Sequence, residues 1–205
     1  MRTESTLYRG CRQKADVFSP RGPRNISLAH VRALPRLPGR PLTGTVKIGS
    51  QSLRCAIGRK GVGAKSREGD SLTPIGRFRI LAWMRRPDRW PIFRADCIPI
   101  SRADGWCDDP RCGSYNRRVR LPFRFGTETL WRDDDLYDLV GIVDYNLCPR
   151  IVGRGSAIFL HVAQDGYQPT AGCVALAAED LRKVQFRLGP RAQLAIGQIF
   201  VRRSP

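Results

Sequence analysis

Apolar and polar residues begin to alternate with a period of two at Gly44, where Val46 and Ile48 are followed by Gly49-Ser50 and then by Leu53, Cys55 and Ile57. Two alternating runs joined by a Gly-Ser turn predict a β-hairpin, with Cys55 as a small core residue. Thr73-Pro74-Ile75-Gly76 reads as a turn, and Arg77-Phe78-Arg79-Ile80 starts a strand that continues through Leu81 and Trp83. The apolar runs Leu136 to Val143 and Ala157 to Val162 have the length of strands. After Cys173 the spacing of Leu181, Val184 and Leu188 predicts one short amphipathic helix, closed by Gly189-Pro190. Ala192, Leu194 and Ile196 then return to strand, so the chain is expected to be mainly β with minor α.

The intervening segments read as loops. Gly58 to Gly76 is Gly-rich and basic, but Gly58, Gly61, Gly63 and Lys65 fit neither GxxxxGK[ST] nor GxGxxG, which argues against nucleotide binding. Arg85 to Asp135 is polar and turn-rich, and its aromatics Trp90, Trp106, Tyr115 and Trp131 are expected to pin a long loop or to stack on a flexible ligand. Residues 1–40 carry nine Lys/Arg against two acids, four prolines and no sustained apolar periodicity. They are expected to form a flexible basic N-terminal tail containing a solvated His30, ahead of a single domain over residues 41–205.

Composition narrows the class. A hydrophobic share of 41% and a charged share of 26% are those of an ordinary globular protein. The net charge of +18 favours polyanionic partners, whether nucleic acid, acidic headgroups or an anionic wall polymer. No apolar run approaches the roughly 20 residues of a membrane span, and the first residues show no apolar signal region. Seven cysteines cannot all pair internally. Cys107 and Cys112 share one loop and could form a small disulfide in an oxidising compartment or remain free thiols. Zinc would want tighter cysteine pairs and more histidine, so no metal is expected.

The chemistry-bearing segment is Ile158-Phe159-Leu160-His161-Val162, a Gly/Pro loop, then Thr170-Ala171-Gly172-Cys173-Val174. It puts a histidine at a strand end and a cysteine twelve residues later on a tight glycine turn. A nucleophilic thiol needs a base within reach and backbone N–H groups aimed at the developing oxyanion, and adjacent strand ends can supply both. In these residues the chain resembles the YkuD-type L,D-transpeptidase catalytic domain, whose signature is a His after an apolar strand followed by [ST]-x-G-C. Glu68-Gly69-Asp70 and Thr73-Pro74-x-Gly76-x-Phe78 resemble that family's early loop and turn. Residues 104–116 and 130–146 resemble the middle region of a proteobacterial branch, giving coverage of about 44–199.

The resemblance implies a β-sandwich or barrel of mixed sheets with one short helix after the cysteine. It also implies acyl transfer on peptidoglycan stem peptides through a Cys173 thioester, with release of the terminal D-alanine and acyl transfer from diaminopimelate to an amine. Cys173 and His161 would be catalytic, with an adjacent imidazolium lowering the thiol pKa. Backbone N–H groups of Gly172 and Cys173 would form the oxyanion hole. Thr170, Arg77, Arg154 and Tyr115 are the candidate substrate contacts. Two departures matter: Ala171 stands where many members carry a second histidine, and Ala175 where many carry an arginine thought to hold substrate. No cofactor, a monomer, no nucleic-acid partner and a periplasmic or envelope location are expected. The alternatives are hydrolysis at the same site, as an L,D-carboxypeptidase, and a non-catalytic basic β-domain that binds polyanions.

Overall fold

The computed structural model describes residues 26–34, 38–39, 41–91 and 96–197. In chain order the strands are β1 (Ile26–Ala33), β2 (Thr43–Ile48), β3 (Gln51–Ala56), β4 (Val62–Gly63), β5 (Thr73–Pro74), β6 (Gly76–Arg85) and β7 (Ile98–Pro99). They continue with β8 (Asp104–Cys107), β9 (Arg117–Arg120), β10 (Thr127–Thr129), β11 (Leu139–Val143), β12 (Phe159–Val162), β13 (Val174–Leu176) and β14 (Leu188–Gly197). A single α-helix, α1 (Ala178–Arg187), lies between β13 and β14. The main sheet runs β11-β12-β13-β3-β2-β1-β14-β6-β7, and a further β11–β6 pairing closes it into a ring. Closure removes the unpaired edges that an open sheet would expose. The fold is mostly β, as the alternation and the family resemblance both indicated.

The hairpin falls where the pattern puts it, with Gly49 at φ 59° in the turn. Inside the ring, Val31, Val46, Ile48, Leu160, Val162, Leu176 and Leu194 form the main core. The helix lays Leu181 and Val184 against it, one face of a 3.6-residue period. Its first turn carries Glu179 and Asp180 and its last turn Arg187, charges that complement the helix dipole. The helix is shorter than its apolar spacing indicates: Leu188, Gly189 and Pro190 already belong to β14. Among the described residues no helix is long and apolar enough to cross a membrane.

The tail boundary at residue 40 requires correction. Ile26–Ala33 is a strand that pairs parallel with β14 and antiparallel with β2. Ala29 and Val31 are fully buried in the core, and His30 is a half-buried strand residue. The strand alternates, but polar Ser27 and Arg32 and the prolines beyond it weakened the signal over so short a run. The remainder of the expected tail, residues 1–25, lies outside the described residues. The loop aromatics do pin the long loop: Trp90, Trp106 and Tyr115 are buried, and the guanidinium groups of Arg86 and Arg102 both stack over the Trp131 ring.

Deleting residues 1–40 should therefore leave β2 and β14 without their shared partner and abolish cooperative thermal unfolding. A truncated protein that melts like the full chain would contradict β1 as an integral strand.

Candidate active site

The parallel pairing of β12 with β13 creates the site. Leu160 lies opposite Val174 and His161 opposite Ala175. Cys173 immediately precedes β13, so strand periodicity puts Phe159, His161, Cys173 and Ala175 on one side of the sheet. The Cys173 side accordingly packs in a second core with Phe159, Trp106, Tyr137 and Met84. Trp106 and Tyr137 both meet the Phe159 ring edge-on, and Tyr137 also meets the His161 ring edge-on at 5.4 Å. His161 and Cys173 open onto one cavity of about 500 Å³ with Lys65, Glu68, Glu128, Thr170 and Gly172.

Cys173 is 8% exposed and His161 7%. The thiol donates to the Ala157 carbonyl oxygen at 3.1 Å and accepts from the Phe159 N–H at 3.3 Å. It makes no hydrogen bond to His161. Burial pushes the Cys173 thiol up to about 12, with Glu128 adding to the rise and the Phe159 N–H and Lys65 opposing it. Burial likewise lowers His161 to about 4, against the opposing hydrogen bond to Val162. The expectation of an imidazolium that depresses the thiol pKa is thus corrected for the resting protein: with both side chains this buried, neither charged form is favoured. His161 Nδ1 lies 2.7 Å from the Val162 carbonyl oxygen. A carbonyl only accepts, so Nδ1 carries the proton and Nε2 keeps the lone pair a base requires.

The turn before the cysteine is built by Thr170, whose hydroxyl accepts from the Gly172 N–H at 3.1 Å and donates to the Cys173 carbonyl at 2.7 Å. Thr170 therefore braces the turn as well as lining the cavity. The Gly172 N–H is committed to Thr170, whereas the N–H groups of Ala171 and Cys173 make no hydrogen bond among the described residues. Gly172 has φ 147°, and a Cβ there would lie 2.8 Å from the Leu72 carbonyl oxygen. Glycine is required on both counts.

Several residues that hold this arrangement carried no local sequence signal. Asn116 is buried with φ 54°, and its side-chain oxygen accepts from Trp106 Nε1 at 2.9 Å and from the Ala157 N–H at 3.0 Å. Its amide nitrogen donates to the carbonyls of Tyr145 and Asn146. Ala157 itself has φ 50°, uncommon for alanine, and this strained residue presents the carbonyl that holds the thiol. Glu128 accepts from the Tyr137 hydroxyl, and burial raises its pKa. The sequence-derived substrate contacts fare unevenly. Arg77 and Arg154 are exposed and line no part of the cavity, because β6 and the 150s loop turn them outward. Tyr115 is fully buried, with its hydroxyl donating to Glu68 and accepting from the Gly155 N–H, so it supports a wall and is not in contact with the cavity.

Cys107 and Cys112 are neighbouring thiols that form no disulfide, and neither do Cys55, Cys97 and Cys173, whereas Cys148 is disulfide-bonded. Among the described residues no cluster of three or more His, Cys, Asp or Glu is suited to a metal.

The YkuD L,D-transpeptidase catalytic domain matches residues 44–196. No curated protein matches the chain. A solved structure, the helical cell shape determining protein Pgp2 (K307A mutant) from Campylobacter jejuni, is 17% identical with a TM-score of 0.33. That match covers 85% of this chain and 48% of the other, so the chain spans about half the length of that protein.

Two measurements check this description. An unfolded histidine binds a proton near pH 6.5 and folded His161 only near 4. Its contribution to stability is complete above about pH 6.5 and is lost as pH falls toward 4, by roughly 3 kcal/mol. His161→Gln should flatten the acid limb of a stability–pH curve, and an unchanged limb would contradict the neutral buried imidazole. Asn116→Ala removes four hydrogen bonds at a buried position and should destabilise by about 2 to 4 kcal/mol in denaturant titration. A loss below about 0.5 kcal/mol would show that Asn116 is not structural.

Proposed function

Because the chain belongs to the family of YkuD L,D-transpeptidase catalytic domains, we propose that it is a cysteine acyltransferase acting on peptidoglycan stem peptides in the cell envelope. The observation that carries the reading is the placement of Cys173 and His161 on adjoining parallel strand ends, facing one cavity beside the uncommitted Cys173 N–H. In this reading His161 Nε2 takes the thiol proton as sulfur attacks the carbonyl carbon of the third stem residue. The neutral resting pair makes general-base catalysis, with charge developing only during attack, the fitting route. The Cys173 N–H receives the developing oxyanion. As the C–N bond breaks, His161 returns its proton to the departing amine of D-alanine and a thioester remains on Cys173. An acceptor amine then attacks the thioester carbonyl, forms the new amide and regenerates the thiol.

His161 has no understudy. The chain contains two histidines, and His30 sits in β1 and does not line the cavity.

Incubating the protein with purified sacculi rich in tetrapeptide stems, followed by muropeptide separation, should show loss of tetrapeptides and new dimers cross-linked through third residues. Accumulation of tripeptides alone would assign hydrolysis instead of transfer. Cys173→Ala should abolish either product, and His161→Gln should slow formation by about 10² to 10⁴. Unaltered sacculi, or full activity of Cys173→Ala, would refute the reading.

A further inference from the structure

Lys65 is nearly enclosed, with its side chain 2% exposed, and its Nζ donates to Asp70 Oδ1 at 2.5 Å. Asp70 is fixed in turn by the N–H groups of Ser66, Arg67 and Leu72. Burial opposes ionisation of Asp70, but Lys65 and these N–H groups outweigh it and hold the carboxyl at about 2. The lysine stem is also located: a Cβ on Gly155, whose φ is 103°, would fall 2.3 Å from Lys65 Cε, so only glycine leaves room there. Enclosing an ammonium carries a large desolvation cost and would be unfavourable for a purely apolar wall. Here it gives a charge with a fixed address.

That address is the cysteine turn. Lys65 lines the cavity, and its Nζ lies 3.5 Å from where a Gly172 Cβ would be. An ammonium has three N–H donors, and Asp70 is its one hydrogen-bonded acceptor among the described residues. The other cation of the cavity, Arg132, is already engaged by Asp134 through two bonds of 2.8 and 2.6 Å. The remaining ionisable side chains on the lining besides His161, namely Glu68, Asp108 and Glu128, are acidic and offer an anion no positive charge. An anionic group entering this cavity therefore has one favourable place, beside Gly172 and the thiol.

We propose that Lys65 is the carboxylate-binding residue of the cavity: pinned by Asp70, it takes the C-terminal carboxylate of a peptide acyl donor next to the Gly172–Cys173 turn. The identity of that donor rests on the acyl-transfer reading, but the cation beside the thiol is measurable without it.

The test compares alkylation of Cys173 in the full-length protein by iodoacetate and by iodoacetamide, followed by peptide mapping. The two reagents share a leaving group and differ by a negative charge, so the ratio of their rates cancels changes in thiol ionisation and access. Lys65→Met should lower the iodoacetate-to-iodoacetamide ratio about tenfold, Lys65→Arg should retain it, and added salt should lower it in the wild-type protein. Should Lys65→Met fail to fold because Asp70 is stranded, Lys65→Met/Asp70→Asn removes the pair together, and the wild-type salt series needs no variant. A ratio unchanged in either Met variant, or one that rises with salt in the wild type, overturns the proposal. If the ratio behaves as expected but sacculi are untouched, only the acyl-transfer reading falls.

Discussion

The side-chain amide of Asn116 is the tie on which the site depends. Its oxygen holds the indole of Trp106 and the N–H of Ala157, and its nitrogen holds the carbonyls of Tyr145 and Asn146. One buried side chain thereby joins the long loop after β8, the turn after β11 and the approach to β12. All its donors and acceptors are satisfied, the condition under which a buried polar group specifies a structure instead of weakening it. The consequence reaches the sulfur: Asn116 orients Ala157, and the Ala157 carbonyl receives the Cys173 thiol.

Around that tie the barrel buries Cys173 and His161 at the base of the cavity. Burial favours the neutral form of His161 and the protonated form of Cys173, so the pair holds no ion pair. Charge is admitted where it is fixed by partners, as at Lys65 and Asp70. Backbone strain collects at the same place, in the positive φ of Asn116, Ala157 and Gly172. Such strain persists only where the surroundings over-determine the conformation, and here they do so through the barrel beneath and the loops above.

Local pattern carried much of this. The β2–β3 hairpin, the β6 strand, the helix face of Leu181 and Val184, and the His161/Cys173 motif were legible because each depends on periodicity or spacing within about a dozen residues. β1 was not, since its eight residues lie among prolines and basic residues and its burial comes from partners far along the chain, β14 above all. Asn116 and Lys65 were invisible for the same reason. Asn116 and Lys65 sit in segments that read only as loops until the fold brings Ala157 and Gly172 beside them. Arg77 and Arg154 lie off the cavity lining, because sequence gives the charge of a residue but not the side of the wall it faces.

The central claim is that Cys173 becomes acylated. Its most direct test is mass spectrometry of the intact protein after exposure to a tetrapeptide stem donor whose side-chain amine is acetylated, quenched in acid and then peptide-mapped. The expected result is a mass increase equal to the donor acyl group lacking its terminal D-alanine, located on the Cys173 peptide and removed by hydroxylamine. Absence of any adduct when donor is consumed, or an adduct on another cysteine, would contradict the account.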